Sequence, residues 1–287
     1  MFAVMGATGN VGGAAAIALL ERGAQVRAIV RDAKKGEAWK QRGAEIAVAD
    51  LFDAESLTRA FADVEGVFVV IPPVFDPAAD FAEARAAGRS LMTALKAARP
   101  ERVVYLSTIG AQARETNLLS QHTLIESELR RLGLPIAFLQ PGWFLENAQW
   151  DVMSAREAGV IYSFLAPVGR AIPMVATEDI GRVAAELLRE EWEGARVVEL
   201  EGPERVSPET IAQAFAELMG RPVRVEVAAR EGWDAAFRGQ GMKNPGPRMR
   251  MLDGFNEGWI DFEDPSVVRR GKVTLREVLA KLMGAAG

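Results

Sequence analysis

The chain contains no cysteine. That excludes disulfides, thiolate nucleophiles and cysteine-ligated zinc or iron–sulfur clusters. His122 is the only histidine, so a histidine-rich metal site is excluded and a single imidazole remains as a base. No apolar run is long enough to span a bilayer. An excess of positive charge is also missing. The formal net charge is -5, which argues against a broad nucleic-acid surface. The short basic pieces Arg248-Met249-Arg250 and Arg269-Arg270-Gly271-Lys272 read as solvated loops. Met1 stands directly before an apolar run and leaves no room for a signal or transit peptide, so a cytoplasmic protein is expected.

What is present is ordinary for a soluble globular protein. Of 287 residues, 49% are hydrophobic and 25% charged. The length suits a large core, or a main domain with a smaller lobe.

Gly6-Ala7-Thr8-Gly9-Asn10-Val11-Gly12 is the most informative stretch. It follows the apolar run Phe2-Ala3-Val4-Met5 and opens an Ala-rich helical segment to about Arg22. Strand, glycine turn and helix is the context of a dinucleotide-binding fingerprint. Glycines let the backbone approach a pyrophosphate, and the helix N-terminus offers unpaired N–H groups to it. The spacing Gly-x-x-Gly-x-x-Gly differs from the more familiar Gly-x-Gly-x-x-Gly. Gln25 to Val30 reads as a second strand, with Arg31 and Asp32 at its end, where this fold reads the ribose. Asp32 suits the free 2′-hydroxyl of NAD. Arg31, with Lys34 and Lys35 beyond, suits the 2′-phosphate of NADP. NADP(H) is the preferred reading and NAD(H) the alternative. Lys34 and Lys35 also read as a wet helix start.

Further apolar runs follow at Glu45–Ala49, Val67–Ile71, Arg102–Leu106 and Pro135–Leu139, alternating with helical segments. Asp53 reads as an N-cap. Asp76 and Pro77 read as N-cap and first residue of a long helix to about Ala98. Asp50 lies near an adenine pocket if the sheet is doubly wound, or simply caps its turn. Ser107 and Thr108 stand at the carboxyl end of a central strand, where ligands bind in open α/β sheets. His122 and Glu126 share one helix face. The pattern predicts an α/β fold: a Rossmann doubly wound parallel sheet with a smaller C-terminal α+β lobe. Residues 1–150 would form the NAD(P)-binding domain and 151–287 the substrate or lid lobe, with 174–203 returning to the Rossmann sheet. Ser207-Pro208 open a helix, Thr274 to Glu277 form a capping box, and Glu231 to Phe262 show no clean period.

These motifs resemble the atypical short-chain dehydrogenase/reductases. His122-Thr123-Leu124-Ile125-Glu126 and Pro141-Gly142-Trp143-Phe144-Leu145-Glu146-Asn147 are similar to the NmrA-like family within them. The resemblance implies that Gly6, Thr8, Gly9, Asn10, Val11 and Gly12 hold pyrophosphate and ribose, and that Arg31 holds the 2′-phosphate. It places Asp50 and Leu51 at the adenine and Ile71 and Pro72 at the inner ribose. Ser107, Thr108, Pro141, Gly142 and Phe144 would lie around the nicotinamide. Trp143, Phe144 and Asn147 would meet substrate; core packing for the two aromatics, and a turn or cap role for Asn147, are the alternatives. One departure stands out. Tyr105 and Tyr162 are the only tyrosines and neither has a lysine four residues on, so the Tyr-x-x-x-Lys pair of short-chain reductases is missing. That disfavours sugar-nucleotide epimerisation. His122 is left as the candidate proton relay, or as a structurally hydrogen-bonded residue. The expected function is NADPH-dependent hydride transfer to a small-molecule electron acceptor, a quinone or similar conjugated carbonyl, which demands no strong acid. The alternative is a non-catalytic NADP(H)-sensing regulator that binds a protein partner.

Overall fold

Alternation of apolar strands and amphipathic helices sets the architecture. In the computed structural model, which describes residues 1–285, the first half runs β1 (Phe2–Met5), α1 (Asn10–Glu21), β2 (Val26–Val30), α2 (Glu37–Gln41), β3 (Glu45–Val48), α3 (Ala54–Ala60), β4 (Gly66–Val69), α4 (Ala82–Ala98), β5 (Arg102–Leu106), α5 (Ser120–Leu129) and β6 (Ile136–Pro141). The second half adds β7 (Trp143–Phe144), α6 (Val152–Ala158), β8 (Val160–Ser163), β9 (Met174–Val175), α7 (Thr177–Leu187), β10 (Ala195–Glu201), α8 (Pro208–Met219), β11 (Arg224–Val227), α9 (Trp233–Gly239), α10 (Gly246–Glu257), β12 (Arg269–Arg270) and α11 (Leu275–Ala285).

Eight strands form one parallel sheet in the order β12-β10-β6-β5-β4-β1-β2-β3. This is the doubly wound, Rossmann-like arrangement. The central strands are buried along their length, as parallel strands covered on both faces must be. On one face α1 and α7 pack around Val4, Phe68, Leu139 and Leu188. On the other, α3, α4 and α5 enclose Val69, Tyr105, Leu91 and Phe138. α1 and α7 touch closely because Gly181 has no side chain: a Cβ there would lie 2.5 Å from the Ala14 Cβ and the Ala15 nitrogen. A third core belongs to the C-terminal elements and centres on Phe215, Trp233, Phe237, Phe255 and Leu279. The small parallel pairs β8–β11 and β7–β9 lie outside the main sheet.

Three sequence expectations are corrected. Asp76 and Pro77 do not start α4. The helix begins at Ala82, after Phe81 in the left-handed region at φ 55°. Asp76 instead accepts hydrogen bonds from the backbone of Lys243 (2.9 Å) and Asn244 (2.7 Å), a tertiary partner that outcompetes its local capping role. Nor are the basic pieces solvated loops. Arg248 to Arg250 lie within α10. Arg269 and Arg270 form the edge strand β12, with ion pairs to Glu190 and Glu201. Finally, β4 ends at Val69, so Val70 and Ile71 have already left the sheet. Elsewhere local signals agree with the structure. Asp53 caps α3, Ser207 caps α8 in a capping box with Thr210, and Thr274 and Glu277 exchange capping bonds before α11.

Candidate active site

In a parallel sheet every strand ends at the same edge. β1, β4, β5 and β6 are side by side, so their carboxyl ends gather Gly6 to Gly12, Ile71 and Pro72, Ser107 and Thr108, and Pro141 and Gly142 along one line. Gly6 turns at φ 65°. A Cβ on Gly12 would lie 2.3 Å from the Gly6 carbonyl oxygen, so α1 can start against the strand end only because both positions lack side chains. Gly9 is the N-cap and supplies no side-chain acceptor, and the first turn carries no acidic residue. Thr8, Gly9 and Asn10 are exposed while Val11 is buried. Uncapped first-turn amides and the positive end of the helix face outward together, which fits a diphosphate.

At the end of β2, Arg31 is exposed and makes no hydrogen bond or ion pair among the described residues. Asp32 turns to its own backbone: its Oδ1 accepts from the Lys34 amide at 3.0 Å and caps the 3-10 turn Ala33–Gly36. Lys34 and Lys35 are exposed beside it. The local charge therefore suits a phosphate better than a ribose diol. Asp50 likewise engages its own turn, with Oδ1 accepting from the Phe52 amide at 2.8 Å. Leu51 is half-buried next to it.

The inner part of the edge holds a buried polar network. Tyr105 and Ser107, two apart on and just beyond β5, point toward α5. His122 and Glu126, four apart on α5, point back. The Tyr105 hydroxyl and His122 Nδ1 are 2.9 Å apart. The Ser107 hydroxyl donates to Glu126 Oε1 at 2.5 Å, and Gln140 Nε2 donates to the same oxygen at 2.8 Å. Arg130 donates to Glu126 Oε2 at 3.1 Å. Burial lowers the His122 pKa to about 4, so the imidazole is neutral at physiological pH. Burial, and then the Glu126 charge, push the Tyr105 hydroxyl well above its ordinary value. The pair is thus neutral on both sides at physiological pH, with the Tyr105 hydroxyl fixing the orientation of the imidazole.

Other sequence candidates divide. Gly142 allows a chain crossing: a Cβ would lie 2.6 Å from the Pro173 carbonyl, and the Gly142 amide donates to Leu200 at 2.8 Å. Pro141 is buried at the end of β6. Trp143 packs edge-on against Phe255, with ring centroids 5.3 Å apart, while Phe144 packs on the α1–α7 core. The two aromatics therefore face different cores. Asn147 is exposed on the 3-10 turn Leu145–Asp151. Thr108 is half-buried. The sequence reading did not foresee Tyr105 and Gln140 as members of the network. The available signal was period two on β5 facing period four on α5.

The sequence profile of the NmrA-like family matches residues 1–233. The chain is 31% identical over 260 residues to an NAD(P)H azoreductase of Xenophilus azovorans, covering 90% of this chain and 85% of that one. It is 28% identical over 248 residues to quinone oxidoreductase 2 of Escherichia coli strain K12, covering 84% and 82%. Among solved structures, an Escherichia coli NADPH-dependent quinone oxidoreductase complexed with NADPH superposes with a TM-score of 0.81. That match is 24% identical and covers 98% of this chain and 99% of the other.

Proposed function

The chain belongs to the NmrA-like family, and from that premise we propose that it is an NADPH-dependent reductase that delivers hydride to a quinone or similarly conjugated carbonyl. The observation that carries this reading is the uncapped, glycine-built start of α1 on the same edge of the sheet as the neutral Tyr105–His122 pair. Relatives named as an NAD(P)H azoreductase and a quinone oxidoreductase support it.

In this reading residues 1–150, with 174–203, form the cofactor domain, and the rest of 151–287 covers it. The α1 amides and Gly6 to Gly12 bind the diphosphate. Arg31 grips the 2′-phosphate, helped by Lys34 and Lys35, because Asp32 is engaged with the Lys34 amide. Asp50 and Leu51 border the adenine, and Ile71 and Pro72 the inner ribose. Ser107, Thr108, Pro141, Gly142 and Phe144 border the nicotinamide, and Ser107 is fixed there by Glu126. The cofactor, when bound, supplies the hydride. The acceptor oxygen becomes a stabilised phenolate, so proximity and orientation outweigh acid strength. His122, oriented by Tyr105, relays a proton from solvent to the phenolate oxygen, which balances the hydride.

The test mixes purified protein with NADPH and a panel of quinones and follows NADPH absorbance. Loss faster than the enzyme-free blank is expected. No acceleration with any quinone, despite NADPH binding, would overturn the reading. That outcome would favour a second one, a redox-sensing regulator with a protein partner, for which the missing Tyr-x-x-x-Lys acid is the motivating observation.

A further inference from the structure

Among the described residues, Arg248 is a cation without a counter-charge. It sits in the first turn of α10 and is half-buried. Its guanidinium carbon lies 4.4 Å from the ring centre of Phe237 and 5.8 Å from that of Phe75. Its one hydrogen-bond contact is to the Met242 sulfur, at 3.6 Å. No carboxylate pairs with it among the described residues. The contrast with Arg250, two residues on, is direct: that side chain reaches Glu115, Asp253 and Glu257. The nearby charges are otherwise engaged. Both oxygens of Asp76 accept from the amides of Lys243 and Asn244, and Arg238 pairs with Asp234. Taking a guanidinium partly out of water without an anion is costly. Burial accordingly lowers the Arg248 pKa.

Its position supplies the reason for tolerating that cost. Three segments meet there. The loop after β4 brings Phe75 and Asp76. The segment before α5 donates from the Leu118 amide to the Pro247 carbonyl at 2.9 Å. Gln121, the neighbour of His122, donates to the Val74 carbonyl at 2.9 Å. Arg248 therefore belongs to the part of the C-terminal lobe that is tied down on the carboxyl edge, beside the loop that carries Pro72 and the turn that carries His122.

We propose that Arg248 receives an anionic substituent of the electron acceptor, a sulfonate, carboxylate or phosphate on a planar conjugated ring, with Phe75 flanking the ring. A guanidinium matches such oxygen clusters in a bidentate manner. The proposal rests on the reductase reading and narrows its substrate class to anionic acceptors.

The experiment compares naphthoquinone with naphthoquinone sulfonate in the wild type, Arg248→Met and Arg248→Lys. The readout is the ratio of kcat/KM for the sulfonate to kcat/KM for the neutral quinone, which cancels general damage. Arg248→Met is expected to lower this ratio by about tenfold or more, mainly through the KM of the sulfonate. Arg248→Lys should recover part of it, and added salt should lower it in the wild type and in Arg248→Lys but not in Arg248→Met. An unchanged ratio in Arg248→Met overturns the proposal. If the wild type reduces neither quinone, the reductase reading fails on its own. Calorimetry of naphthoquinone sulfonate with NADP-saturated protein then decides about Arg248. Affinity lost by about tenfold in Arg248→Met supports the site, and equal affinity or no binding overturns it.

Discussion

Arg31 and Asp32 illustrate how two adjacent residues with opposite readings are separated by one hydrogen bond. With the Asp32 carboxylate held by the Lys34 amide, Arg31 is the group that the proposed function assigns to the 2′-phosphate. Arg31→Ala should weaken NADPH by about tenfold or more, since a charge-assisted bond contributes about 1.5–3 kcal/mol, while NADH changes little. Fluorescence titration with both nucleotides measures it, and equal losses for the two would remove Arg31 from the 2′-phosphate. Asp151 offers a second test at this scale. Burial raises its carboxyl to about 6 from 3.8, against the Tyr162 amide, which lowers it. The folded protein thus holds this proton more tightly than the unfolded chain. The stabilisation is fully present below pH 3.8 and is lost as pH rises through about 6. Asp151→Asn keeps an acceptor for the amide and removes the buried charge. It should stabilise the protein at neutral pH by on the order of 1–3 kcal/mol and change little in acid. Thermal melts at the two pH values check the sign.

At the scale of elements, the contact between α1 and α7 holds α1 in place. Gly181 lies against Ala14 and Ala15 with no room for a Cβ. Glu146 fixes the start of α7 by accepting from the Thr177 amide at 2.9 Å and its hydroxyl at 2.6 Å. Gly181→Val should push the helices apart, at a cost of roughly 1–3 kcal/mol, and, with α1 in its proposed role at the diphosphate, weaken NADPH binding. A lower melting temperature with unaltered NADPH affinity would uncouple the two helices. The elements also show which local signals were readable. β5, the Ser207 cap of α8 and the Thr274–Glu277 capping box before α11 were legible because their determinants lie within a few residues. The start of α4 was not, because Asp76 is held by amides 167 and 168 residues away. Arg269 and Arg270 read as a charged loop for the same reason. Their partners Glu190 and Glu201 lie on other parts of the chain, and the backbone pairing with β10 that makes the stretch an edge strand is equally distant in sequence.

Over the whole molecule, the family profile ends at residue 233, but the fold does not. Beyond it lie Phe237, Leu252, Phe255, Phe262, Val278 and Leu279 of the C-terminal core, and β12 at the edge of the main sheet. Asp261 grips Arg205 through two bonds of 2.8 Å, and Lys281 reaches Glu178 at the start of α7. A chain cut after Trp233 should therefore lose cooperative folding. Near-ultraviolet circular dichroism and a thermal melt test this, and a sharp transition in the shortened chain would show the C-terminal elements to be dispensable. The sequence by itself determined the glycine turn, the strand–helix alternation and hence the parallel sheet whose strands end at one edge. These follow from backbone sterics and from periodicities that repeat within a few residues. The tertiary structure alone decided that Tyr105 holds His122, that Glu126 holds Ser107, that Trp143 and Phe144 serve different cores, and that Arg248 has no carboxylate partner among the described residues. Each of these depends on which distant side chains share a low-dielectric space, and packing, not spacing, assigns those neighbours.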